Sequence, residues 1–174
     1  MLALTLAGCA AERSPTAMTS PAATTSARFT PPVPPPSSER MQCVPYARAA
    51  TGIEIRGDAW SWWQQAEGRY AKGQRPAPYA VLVLAQGVRL DLGHVAVVRE
   101  ILDRRRIRVD HANWANDGRI VTGMTVVDVS AGNDWTEVRF WNQAADQWGN
   151  VYVANGFIYP SGVTPEGATA QLAP

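Results

Sequence analysis

The apolar and polar positions divide this chain into a front part with helical spacing and a long run with strand spacing. From Cys43 to about Ala50 the residues are good helix formers. Pro45 is tolerated in a first turn, where its missing N–H would have no partner, and Gly52 is placed to end the helix. Cys43 therefore opens that helix. A second helix is expected from about Ala59 to Ala66, with Asp58 as N-cap and Gly68 as stop. Trp60 and Trp63 share a face at i, i+3 and are assigned to the core, leaving Trp62 to point elsewhere, toward packing or a groove. After a loop over Gly73 to Pro78, the continuous apolar run Tyr79 to Ala85 reads as a buried strand. Gly93 to Ile101 and Arg106 to Trp114, separated by Leu102-Asp103-Arg104-Arg105, suggest a hairpin. Val121 to Val129, Thr136 to Trp141 and Val151 to Tyr159 are further strands, the last broken or ended near Asn155-Gly156. Helices ahead of a run of strands make an α+β arrangement.

The hairpin brings the chain's two histidines, His94 and His111, into question together. If its loop holds an even number of residues, paired positions sum to an odd number, such as 94 with 113 and 96 with 111. His94, His111 and Asn113 then share a face with Ala96, Val98, Ile107 and Val109, while Arg106, Arg108 and Asp110 take the other. Diagonal neighbours on one face lie about 7 to 8 Å apart, close enough for two imidazoles to hydrogen-bond. An odd loop or a bulge would separate them.

The ends differ in character from the middle. Residues 1–9 finish in Leu6-Ala7-Gly8-Cys9, which resembles a bacterial lipobox and makes Cys9 the expected lipid anchor. The apolar run is shorter than a complete export signal and lacks a basic start, so the expectation includes a truncated or late-called N-terminus. Residues 10–40 are rich in Ala, Ser, Thr and Pro, a composition that cannot bury enough surface to fold alone, and they read as a tether. Residues 41–160 form the expected domain, and 161–174 a small polar tail. No stretch of about 20 apolar residues could cross a bilayer as a helix. Ala10, after the cysteine, does not resemble the Asp signal for inner-membrane retention, so an outer-membrane lipoprotein facing the periplasm is expected. A net charge of +1, with both signs mixed along the chain, argues against a nucleic-acid partner. A monomer is expected.

Cys43 is the one cysteine of the domain, so it has no disulfide partner there, and a helix start favours a thiolate. Thiol hydrolysis needs a thiolate, an imidazole to shuttle its proton and a third polar group to orient that imidazole. Cys43, His94 and His111 supply one of each. His94 is expected to take the thiol proton and later protonate the leaving amine, with His111 accepting its hydrogen bond. The backbone N–H of Cys43, aided by Gln42 or Asn113, would hold the oxyanion. A metal site made from Cys43, His94 and His111 lacks the supporting spacing of HExxH or CxxC, and none is predicted.

Three segments carry a family resemblance: Gln42-Cys43-Val44-Pro45-Tyr46-Ala47-Arg48, Gly93-His94-Val95-Ala96-Val97-Val98 and His111-Ala112-Asn113-Trp114. In this order they resemble the CHAP family of cysteine, histidine-dependent amidohydrolases/peptidases over roughly residues 40–160. The resemblance implies a papain-like, NlpC/P60-type fold with N-terminal helices packed on an antiparallel sheet, and cleavage of peptidoglycan amides. The bond cut would be N-acetylmuramoyl-L-alanine or one within the stem or cross-bridge. The family commonly has Glu where His111 stands; His there is similar to NlpC/P60 peptidases. Asp110 could replace it only by reaching the catalytic face. The calcium-binding acids that some relatives carry before the Cys are replaced here by the tether, so no calcium or other cofactor is expected. Two other functions remain open: a non-catalytic wall-binding domain, and an amidase for a non-wall amide such as a glutathionyl-polyamine conjugate.

Overall fold

A computed structural model describes residues 29–165. The expected signal residues 1–9, with Cys9, most of the tether and the last nine residues of the tail lie outside the described residues. The described chain is mixed α+β and mostly antiparallel sheet. From Phe29 onward the tether sequence runs along the domain: Phe29 meets the Tyr79 ring at 5.2 Å, and Arg40 bridges to Arg119.

Helix α1 spans Cys43–Thr51 and ends as its sequence dictates, with Gly52 at φ 72° donating its N–H to Arg48 O. The second helix is shorter than expected. Ala59–Ser61 is a 3-10 turn leading into α2, Trp62–Gln65, and Asp58 makes no side-chain cap. The buried stripe runs through Ala59, Trp62 and Ala66, so the core assignment of Trp60 is overturned: Trp62 is fully buried and Trp60 is 40% exposed. Trp63 packs at the edge of that core with the Lys72 ammonium 4.6 Å from its ring centre.

Seven strands follow: β1 Ala71–Gly73, β2 Val81–Leu84, β3 His94–Ile101, β4 Arg106–Ala112, β5 Ile120–Asp128, β6 Glu137–Asn142 and β7 Gln147–Tyr159. β1 was not anticipated; it pairs with the end of β7. The strand order is β1-β7-β2-β3-β4-β5-β6, and β6 also pairs with the first half of β7. Six strands thus close into a barrel, with β1 as an added edge. The break at Asn155-Gly156 is a bulge rather than an end, because the β2 pairing shifts from Val83↔Gly156 to Leu84↔Ala154.

Alternation along the strands sorts their side chains into two cores. Leu82, Leu84, Ala96, Val98, Ile107, Val109, Val138 and Phe140 fill the barrel. Val81, Val83, Val95 and Val97 face outward and cluster with Tyr46, Ala47, Ala50 and Trp62. This second cluster fixes the start of α1 over the first residues of β3.

The β3–β4 register departs from the simple hairpin in two places. Ile101 pairs with Ile107, which leaves a five-residue loop, and a bulge at Arg99 then shifts the pairing to Val98↔Val109 and Val97↔Asp110. Each irregularity alone would put the histidines on opposite faces. Together they cancel, and the odd sum is restored at the end of the hairpin that carries both histidines.

Candidate active site

Cys43, as the first residue of α1, has its backbone N–H among those left free by the helix geometry. Its half-buried thiol is pushed above the usual cysteine value by burial, opposed by hydrogen bonds from the backbone of Val95, Val44 and Cys43 itself. The expected stabilisation of a thiolate by the helix start is therefore present and outweighed. At rest the group is a neutral thiol.

His94 is the first residue of β3, and its place depends on the glycine before it. Gly93 has φ +66°, and a Cβ there would lie 2.7 Å from Trp60 N and 2.9 Å from Leu84 O. Only glycine fits without displacing that backbone. Gly93→Ala is expected to cost roughly 1 to 3 kcal/mol of stability and to lower turnover by displacing His94. Urea unfolding beside an activity assay checks this; wild-type values for both would remove the steric argument.

His94 and His111 are buried and joined, Nε2 of His94 to Nδ1 of His111, at 2.9 Å with their rings nearly perpendicular. When His94 donates through Nε2–H, its Nδ1 keeps a lone pair. His111 then carries its proton on Nε2, a buried atom with no hydrogen-bond partner among the described residues. Leaving such a group unpaired costs about 1 to 3 kcal/mol. Three aromatic rings enclose the pair: Trp114 lies 4.9 Å from His94 and 5.4 Å from His111, Phe140 stacks on His111 at 5.7 Å, and Tyr152 meets Trp114 edge-on.

Burial lowers the affinity of both imidazoles for protons. His94 is held well below its usual value by burial and then by the charge of His111, and His111 is pushed down to about 3 by burial. The unfolded chain takes up these protons near pH 6.5 and the folded chain does not. Their contribution to stability is therefore complete above about pH 6.5 and erodes as pH falls, by up to about 1.4 kcal/mol per pH unit for each histidine. Urea midpoints are expected to drop between pH 7.5 and 5.0, before most carboxylates titrate. A flat or rising midpoint would contradict burial of the pair.

The remaining predicted residues are also placed. Asn113 leaves β4 with φ 61°, donates Nδ2–H to Gln42 Oε1 at 2.6 Å and accepts the Gly118 N–H. Its side chain ties the end of β4 to the residue before Cys43 and leaves the Gln42 amide NH2 available. Asp110 is on the other face, where its carboxylate accepts from Gly123 N and Arg99. Among the described residues, no group of three His, Cys, Asp or Glu side chains is arranged to hold a metal, and no helix is long and apolar enough to cross a membrane.

A cleft of about 670 Å³ is lined by Gln42, Cys43, His94, Asn113 and Trp114. The thiol and the His94 imidazole thus face one space, although no hydrogen bond joins them in the resting chain. Sequence reasoning missed its far wall, the turn from Val88 to Leu92, and with it Arg89 and Asp91. Together with Asp58 these are cleft charges that form no ion pair among the described residues.

Residues 34–113 match the family model of the CHAP domain, a span that contains Cys43, His94, His111 and Asn113. Over that span the chain is similar to a CHAP domain. CHAP domains are commonly hydrolases of the amidase and peptidase class acting on peptidoglycan. The match ends before Trp114 and strands β5 to β7, which complete the barrel around the histidines. A comparison with curated proteins found no match.

Proposed function

We infer that this CHAP-like domain is a cysteine hydrolase that cleaves peptidoglycan amide bonds through Cys43, His94 and His111. The observation that carries the reading is the His94–His111 hydrogen bond beside a cleft that Cys43 also lines. His94 Nδ1 takes the proton from Cys43 Sγ as the sulfur attacks the amide carbonyl carbon. The C–S bond forms, the C–N bond breaks, and His94 returns the proton to the departing amine. Water then gives a proton to His94 and its hydroxide to the thioester, freeing the acid and restoring the thiol. The Cys43 N–H and the Gln42 amide NH2 stabilise the oxyanion. His111 orients His94 by accepting its Nε2–H. The order of helix cysteine, strand histidine and a polar residue on the next strand supports a papain-like fold of the NlpC/P60 type.

One other reading is a domain that binds wall peptides without cutting them, because His111 stands where the family it resembles commonly has Glu. Incubation of the chain with isolated peptidoglycan, followed by mass spectrometry of the soluble fraction, separates the two. Stem peptides with a free L-Ala amine mean an amidase, and new termini within stem or cross-bridge an endopeptidase. No fragments from folded protein would leave the binding domain.

The reading includes a place for the chain: anchored through a lipid on Cys9, with residues 10–40 as spacer, as a monomer at the outer membrane of a bacterial envelope. The lipobox-like Leu6-Ala7-Gly8-Cys9 supports it. Labelled fatty acid incorporated by the wild type and by Cys9→Ser alike would remove that anchor.

A further inference from the structure

On the far side of Trp114 from the Cys43 cleft lies a second depression, of about 810 Å³, and Trp114 lines both. It forms where the loop after Asn113 and the start of β5 face the β6–β7 hairpin. Two irregularities shape it. An extra residue in β5 opposite Asp110, next to Gly123 at φ +70°, bends that strand, and Gly149-Asn150 bulge out of β7 opposite Phe140.

The lining combines flat rings with uncharged hydrogen-bonding groups. Trp114, Trp141 and Tyr152 supply the rings. Each is held by another aromatic: Trp141 by Trp148 at 5.1 Å edge-on, Tyr152 by Trp114 at 5.3 Å, and Trp114 by stacking on Phe140 at 4.4 Å. Exposed carboxamides of Asn142, Gln143 and Asn150 stand around them. The Asn142 oxygen is already used by Ala144 N and Ala145 N, which leaves its NH2 to donate outward. The charged residues of the lining, Asp117 and Arg119, are bound to each other.

This chemistry differs from that of the cleft. The cleft has the charges of Asp58, Arg89 and Asp91, which form no ion pair among the described residues and suit a peptide with charged groups. The groove has no net charge to attract an anion or a cation, but offers aromatic faces beside amide donors and acceptors. A ligand that matches it has an apolar ring face and a rim of hydroxyl and acetamido groups. We propose that the groove is a carbohydrate subsite, which holds N-acetylated amino sugars of the glycan while the attached peptide crosses Trp114 into the Cys43 cleft. The proposal rests on the peptidoglycan reading above and assigns the second half of that substrate.

The test is binding by the full chain carrying Cys43→Ala, so that nothing is consumed, titrated with a β-1,4-linked tetramer of N-acetylglucosamine. Calorimetry should give saturable binding, and the indole resonances of Trp114 and Trp141 should shift in NMR spectra. Trp141→Ala should weaken the affinity roughly tenfold or more. Because that change could disturb the hairpin, the exposed pair Gln143→Ala with Asn150→Ala is measured as well, with melting temperatures for both. The absence of saturable binding would overturn the proposal, as would an affinity that neither variant changes. So would a free stem peptide displacing the sugar from these residues. The readout needs no turnover: sugar binding by Cys43→Ala with no hydrolysis of peptidoglycan by the wild-type chain would sink the enzyme reading and leave the groove, and hydrolysis by the wild type without sugar binding would do the reverse.

Discussion

Cys43→Ala is expected to abolish release of fragments from peptidoglycan, a fall in turnover on the order of 10⁴ or more, while the domain stays folded. Cys43 carries the one thiol among the described residues, so no neighbouring sulfur can take over. The fold should tolerate the change for local reasons. Alanine is the best helix former, the position is the first of α1, and the side chain lies at the margin of the outer core rather than within it. The histidine pair also bonds within itself and owes nothing to the thiol. Mass spectrometry of released fragments, with circular dichroism melting of both proteins, checks the result. Turnover retained by Cys43→Ala would move the nucleophile elsewhere in the chain. A large loss of melting temperature would mean that the sulfur is a packing element first.

The parts of this site that were legible in the sequence are those governed by local rules. α1 could be read because Pro45 and Gly52 bracket it, and each acts through its own backbone geometry. The nearness of His94 and His111 could be read from strand parity, yet the route was wrong in detail. A five-residue loop and the bulge at Arg99 each break the parity and together restore it, and neither leaves a mark in the pattern of apolar residues. Trp60 was misassigned to the core because the segment begins as a 3-10 turn, which changes which positions share a face. β1 escaped notice because three residues carry no period. The groove beyond Trp114 was hidden for a related reason. It is made by bulges in β5 and β7 and by positive φ at Asn113 and Asn116, and barrel closure, not sequence proximity, brings these together. Trp114 itself packs against the barrel core and walls the groove.

His94→Ala should be as damaging as Cys43→Ala, whereas His111→Ala should retain part of the activity with its acid limb moved to higher pH. The ranking follows from what each ring does. Without His94 the neutral thiol has no base, and because burial already pushes that thiol up, little thiolate forms unaided near neutrality. Without His111 the base remains, but its Nε2–H loses its partner and the ring loses its fixed orientation. The pH shift separates orientation from mere packing. Burial and the charge of His111 hold His94 well below the usual histidine value, so wild-type activity should persist below pH 6.5. Removing His111 admits water beside the ring, which relieves the burial of His94 and raises its proton affinity. The measurement is kcat/KM against pH for the three proteins, with melting temperatures, since His111 is fully buried against Phe140 and its loss leaves a cavity. Equal losses in folded His94→Ala and His111→Ala would defeat the ranking. A His111→Ala protein with wild-type turnover and an unmoved acid limb would take His111 out of the site and leave Cys43 and His94 to act as a pair.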